Sequence, residues 1–316
     1  MNIKSLLLGS AAALAVVSGA QAADAIVAAE PEPMEYVRVC DAFGTGYFYI
    51  PGTETCLKIS GSVRFAYDWS SNDTSSSGDF QTRARVEFTT ANDSEIGTIG
   101  SYIRFQGTSD DENAIVEQAY ITVGGFKAGY SVTFADDIGI AGENDSFISN
   151  AKFDMVSYTY ATDAFKVGLG VDELSNNGFD DLGVEAMASA SLGAATVTVY
   201  GGYDFGADEG FVAGQLSADL GPGSLGIYGG WASDPSVYVE TYEWTVGAAY
   251  TFKATEKLSI TPSVNYFEEF DGDDYFGAGV LATYQIASGL STEVTVDYKD
   301  TATEDWSGFV RLIRSF

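Results

Sequence analysis

The side chains with most to offer chemically are a group of cations and a group of acids set apart in the chain. Arg64, Arg83, Arg85 and Arg104 lie within one stretch of alternating sequence, Lys127 follows, and residues 167 to 252 hold no lysine or arginine. Arg83 and Arg85 alternate with Ala84, Val86 and Phe88, and Arg104 with Ile103 and Phe105, so the arginines occupy the polar faces of strands. The acids Asp136, Asp137, Glu143 and Asp145 sit on the longest connection, 135–151. The chemistry such residues offer is electrostatic. Guanidiniums and carboxylates held apart across water set up a field that orients dipoles and sorts ions weakly by sign. The plainer reading is an acid-decorated exposed loop and arginines that only solvate an interior.

Bond-making chemistry finds no support. The chain has no histidine, which removes imidazole bases and imidazole metal ligands. Its serines are scattered, and no phosphate-cradling GxxxxGK[ST] run is present. Adjacent acids in loops are weak grounds for a glycosidase, and Asp271-Gly-Asp-Asp274 lacks the spacing of an EF-hand. The expectation is therefore no enzyme, no cofactor and no dedicated metal site. A formal net charge of −30 speaks against nucleic acid as a partner. Acid runs such as Asp110-Asp111-Glu112 and Glu268-Glu269 read as solvated surface; divalent cations bridging them to lipopolysaccharide phosphates is a secondary expectation. The two cysteines, Cys40 and Cys56, form an even pair, most simply a disulfide in an exported chain, with two free thiols as the alternative.

Export is read from residues 1–22, which carry Lys4, an apolar run from Leu6 to Val17 and the small-residue end Ala20-Gln21-Ala22 of a signal peptide. Residues 23–56 form an amino-terminal segment holding the cysteines, and 57–316 read as sixteen alternating segments, from 57–69 and 79–90 to 290–299 and 306–316. In the first, Ile59, Gly61, Val63, Phe65, Tyr67 and Trp69 share one face, and Lys58, Ser60, Ser62, Arg64 and Asp68 the other. Connections after odd segments are long and polar, such as 70–78, 135–151 and 233–240; those after even segments are tight, such as Gly124-Gly125 and Gly193. That parity predicts an all-β fold: a 16-stranded antiparallel transmembrane β-barrel with long extracellular loops and short periplasmic turns. The last segment, closing on Phe316, fits the carboxy-terminal assembly signal of an outer-membrane barrel.

The run Tyr36-Val-Arg-Val-Cys-Asp-Ala-Phe-Gly-Thr-Gly-Tyr-Phe-Tyr-Ile-Pro-Gly-Thr-Glu-Thr-Cys-Leu-Lys-Ile-Ser-Gly61 resembles the amino-terminal signature of alphaproteobacterial outer-membrane porins of the rhizobial and Brucella group. Glu117-Gln-Ala-Tyr-Ile-Thr-Val-Gly-Gly-Phe-Lys-Ala-Gly-Tyr130 and the ending at Phe316 are similar to the same family. The resemblance implies a homotrimeric general porin in the outer membrane of a Gram-negative bacterium, in contact with membrane lipid and lipopolysaccharide, that passes small hydrophilic solutes and ions. It further implies that the loop 135–151 folds into the lumen, setting its acids opposite a basic wall of Arg64, Arg83, Arg85, Arg104 and Lys127. The alternatives are a sugar-selective channel, which would need aromatics along the lumen, and an exported β-protein acting by adhesion.

Overall fold

The computed structural model describes residues 38–111, 113–142, 146–174 and 181–316. The signal peptide expected at 1–22, residues 23–37, and Glu143 and Asp145 lie outside the described residues. Val39–Phe316 forms one compact unit. Its strands are β1 (Tyr47–Tyr49), β2 (Cys56–Ser71), β3 (Ser76–Asn92), β4 (Ile99–Thr108), β5 (Ala114–Val123), β6 (Phe126–Val132), β7 (Lys152–Ala161), β8 (Phe165–Glu173) and β9 (Leu182–Leu192). They continue as β10 (Ala195–Asp204), β11 (Glu209–Leu220), β12 (Gly223–Ala232), β13 (Tyr242–Lys253), β14 (Leu258–Glu269), β15 (Asp274–Ala287), β16 (Leu290–Lys299) and β17 (Asp305–Ser315). Each strand from β2 to β17 pairs antiparallel with the next, and β17 returns to β2 with Val310 opposite Tyr67. Sixteen strands thus close into a barrel with no free edge.

Alternation decides which side each residue faces. Val63, Phe65 and Tyr67 on β2, Val156, Tyr158 and Tyr160 on β7, Leu169 and Val171 on β8, and Val310 and Leu312 on β17 are exposed on the outer surface. A continuous apolar belt of this kind is stable only against lipid. The inward series runs polar or small, for example Ser263 and Asn265 on β14 and Thr295 and Asp297 on β16, all buried.

The seam and the turns are built by close approach. Phe316 donates its N–H to Gly61 O (3.0 Å) and accepts from Gly61 N (3.1 Å). A Cβ at Gly61 would meet Arg85 O at 2.4 Å and the Phe316 ring at 2.9 Å, so that position of β2 admits only glycine. Between β5 and β6, Gly124 takes φ +56°, the left-handed geometry of a two-residue hairpin.

Two expectations shift. The polar connection 70–78 is mostly strand, since Ser70 and Ser71 pair with Ser77 and Ser76 and only 72–75 turn. Hydroxyl-rich sequence outside a membrane can extend a ladder as readily as leave it. The amino-terminal segment contributes β1, which pairs with the start of β2 so that Tyr49 faces Cys56. The Cys40–Cys56 disulfide closes this unit, with Cα atoms 6.0 Å apart. Its removal is expected to cost about 3 kcal/mol by the loop-entropy relation. Because β1 has few partners beyond β2, a Cys40→Ser, Cys56→Ser variant should become protease-sensitive within 41–55 yet keep heat-modifiable migration of the barrel on detergent gels. Loss of the folded barrel in that variant would contradict this division of roles.

Candidate functional site

Four consecutive strands, β17, β2, β3 and β4, line one side of the lumen with guanidiniums. Arg64 lies directly opposite Arg83, Arg85 opposite Gln106, and Arg104 opposite Glu87. All four arginines read from the sequence face inward together, and Arg311 of β17 joins them. The parity of Trp306, Gly308, Val310 and Leu312 carried the signal for Arg311. Arg311 Nη2 pairs with Asp68 Oδ1 at 2.9 Å. Arg104 Nε pairs with Glu87 Oε1 at 2.9 Å, while Arg85 Nη2 and Arg104 Nη1 reach Glu117 Oε2 at 3.3 and 3.6 Å. Lys152 Nζ holds the other Glu117 oxygen at 3.3 Å.

Glu117 owes its place to a bulge. Alternation assigns it to the outer face of Ile115, Ala119 and Ile121, but the β4–β5 register slips between Arg104 and Phe105, leaving Glu117 as the extra residue and turning it inward. A carboxylate on an otherwise apolar face is the sequence signal of such a bulge. The same device turns Tyr242, which strict alternation would put on the face of Trp244 and Val246, into the interior, where the β13–β14 register shifts between Tyr242 and Trp244.

Across the lumen lies the connection from β6 to β7, whose described residues, 133–142 and 146–151, fold inside the barrel. It begins with a short 3-10 turn, Phe134–Asp137, whose first N–H donates to Glu185 Oε2 of β9 at 2.6 Å. It then crosses the inner faces of successive strands: Gly139 N donates to Gln215 of β11 at 3.2 Å, Ile140 packs over Gly226 and Gly247 of β12 and β13, and Ser263 of β14 donates to Gly142 O. Phe147 closes over Gly230, where a Cβ would meet its ring at 2.5 Å. The stretch without lysine or arginine is thus the wall the loop rests on.

A second loop, 233–241, also turns inward, contrary to its reading as a polar outer connection. Tyr238 and Val239 are fully buried. Tyr238 donates to Asp172 Oδ2 of β8 at 2.6 Å, Val237 N donates to Asp204 Oδ2 at 3.0 Å, and Ser149 N donates to Tyr238 O at 2.8 Å. Burial and the Asp172 carboxylate hold the Tyr238 phenol protonated well above its usual range. Together the two loops cover an aromatic cluster of Phe147, Phe153, Tyr200, Phe211, Tyr228, Tyr242, Phe267 and Tyr275. This cluster lies inside the barrel; on the arginine side, Tyr102 and Tyr120 stack with centroids 5.1 Å apart.

Of the loop acids, Asp136 and Asp137 are exposed to the pore space. The Asp136 carboxyl is raised above the ordinary range, first by burial within the barrel and then by Asp137, with Lys152 and Arg104 opposing. Acidification should therefore neutralise Asp136 before an ordinary aspartate near pH 4. Cation preference, read from the reversal potential under a salt gradient, should decline at a pH above that range, and Asp136→Asn should remove this early step; an unchanged titration in the variant would contradict it. Lys127 departs from the basic wall. Its amine donates to Ser131 Oγ at 3.1 Å and Val132 O at 3.0 Å, beneath the start of the loop and near Asp172 and Glu185. Among the described residues no cluster could hold a metal ion.

A family model described as Porin subfamily matches residues 24–310. The chain belongs to that porin family. It is 39% identical over 332 residues to outer membrane protein IIIA of Rhizobium leguminosarum bv. viciae, covering 95% of this chain and 90% of that one. It is 33% identical over 371 residues to porin Omp2b of Brucella neotomae, covering all of both. In fold this porin matches in-vitro folded OmpT, an outer membrane protein of Vibrio cholerae in its trimer form, with TM-score 0.64 at 16% identity over 84% of this chain and 100% of that one. An outer-membrane location follows for this porin.

Proposed function

We propose that this porin is a general diffusion channel whose constriction lies between the arginine wall of β17, β2, β3 and β4 and the inward loop 133–151. The observation that carries the reading is the placement of cations and loop on opposite sides of one water-accessible lumen. Asp136 and Asp137 on the loop face Arg64, Arg83, Arg85 and Arg104, and the resulting transverse field turns dipolar solutes as they pass. Nothing in this arrangement makes or breaks bonds, so the role is passive passage of small hydrophilic solutes and ions.

The supporting roles extend this reading. Residues 1–22 serve as a signal peptide, and Phe316, whose ring lies exposed at the seam, serves as the assembly signal. A homotrimer accords with the trimer form of OmpT. The acidic outer loops would meet lipopolysaccharide through divalent cations, and chelator-insensitive lipid association would count against that. Single-channel recording of purified protein in a planar bilayer, with the reversal potential under a salt gradient, tests the function. Large steps grouped in threes are expected; silence from correctly folded protein would overturn the open-channel reading.

A further inference from the structure

The cations of the wall are unevenly neutralised. Arg311, Arg85 and Arg104 each touch a carboxylate. Arg64 and Arg83, between them along the wall, touch none. Of the five N–H groups on each guanidinium, Arg64 donates one to Gln81 Oε1 at 3.0 Å, and Arg83 has no protein acceptor among the described residues. The Nε of each is buried without a partner. Gln81 is itself held by Asp110 Oδ2 at 2.7 Å, so the acceptor that orients Arg64 is not free to move to Arg83. Glu293 stands opposite Arg311 in the β16–β17 register and forms no ion pair with either arginine.

Like charges directly opposite on adjacent strands repel, and here Asp68, Glu293 and Glu117 offset them only from a distance, with no carboxylate of the described residues in contact with either guanidinium. The missing complement is a small anion with several oxygens, since guanidinium edges match planar or tetrahedral oxyanions through paired N–H···O bonds better than they match a halide. We propose that Arg64 and Arg83 form a binding station for small oxyanions, in the class of inorganic phosphate, sulfate and short carboxylates, within the pore. This rests on the proposed constriction and adds a resident ligand to it. A station open to water on one side binds weakly and releases readily, as conduction requires.

The test is inorganic phosphate added to single channels held in potassium chloride. Wild-type current is expected to fall with phosphate to a saturating level, with chloride substitution at equal ionic strength giving no such saturation. Arg83→Lys keeps the charge and loses the fork: its reversal potential should stay close to wild type while the half-blocking phosphate concentration rises about tenfold, the scale of one lost charge-assisted hydrogen bond. Lys257→Gln, at an exposed turn, removes a charge far from the pair and should block as wild type does. Saturation in the wild type is readable even if a variant fails to fold. Channels that conduct normally but show linear or absent phosphate dependence, or Arg83→Lys blocked as tightly as wild type, would overturn the station while leaving the porin reading intact. Absence of channels would instead strike that reading itself.

Discussion

Tyr238→Ala is expected to give channels of larger and less steady conductance from a barrel that still assembles. Truncating a buried aromatic costs about 3–5 kcal/mol, from lost transfer energy and the cavity left behind. Here the ring packs against Phe153 and Phe211 with centroids 5.6 Å away in each case, and its hydroxyl donates to the buried Asp172 carboxylate. Removing it leaves a fully buried acid without that donor, an added penalty of about 1–3 kcal/mol or more for a charged group. The loss falls on the two loops, because Ser149 N and Asn150 Nδ2 are tied to Tyr238 O and Val237 O. A loss of this size is comparable to the differential that moves a two-state equilibrium between its extremes, so the carboxy-terminal half of loop 133–151 should detach for part of the time.

The barrel should withstand the change because its stability lies elsewhere. The strand ladders close independently of the loops, through pairs such as Val310–Tyr67, and the outer apolar belt is untouched. Bilayer recording would register raised mean conductance and excess current noise, and gel mobility would report the folded barrel. Tyr238→Phe keeps the ring and loses only the hydroxyl, so its effect should be smaller in the same direction. Steady wild-type conductance from folded Tyr238→Ala channels would refute the claim that the loop 233–241 holds the constriction.

The barrel was legible in the chain because its information is local. Period-two alternation and the parity of connection lengths are written within each hairpin, and sixteen strands emerge from them with ends displaced by a few residues. The arginine wall followed from the same parity. What escaped was non-local or broke the period. Asp172 and Tyr238 are 66 residues apart in sequence, and no pattern near Tyr238 announces that a loop beginning Ser233-Asp234-Pro235 will enter the lumen. Its burial depends on glycines and acids of distant strands leaving room and acceptors. Glu117 and Tyr242 were hidden by bulges, each of which inverts the face of the residues beside it. Lys127 obeyed parity and faces inward, but its amine found acceptors on its own strand before it could reach the arginines.

Glu117→Gln should shift ion preference toward anions more than any other single change in the wall. One carboxylate contacts Arg85, Arg104 and Lys152, and its neutral amide replacement keeps the shape while removing one negative charge. An ion passing about 8 Å away feels a change of about 0.5 kcal/mol at the dielectric of water. That is about twofold in local concentration, of opposite sense for cation and anion, so their permeability ratio should move by about fivefold at low salt. At physiological salt, with a screening length of about 8 Å, the shift should shrink. Arg104 keeps Glu87 and Arg85 keeps Gln106, so both guanidiniums should stay in place and the single-channel conductance should change less than the selectivity. Reversal potentials measured under the same gradient at low and high ionic strength separate these effects. No shift at either would mean that ions do not pass along the Glu117 side of the lumen, and the wall assigned to the pore would have to be moved; a shift of the same size at both would contradict a field acting through screened water.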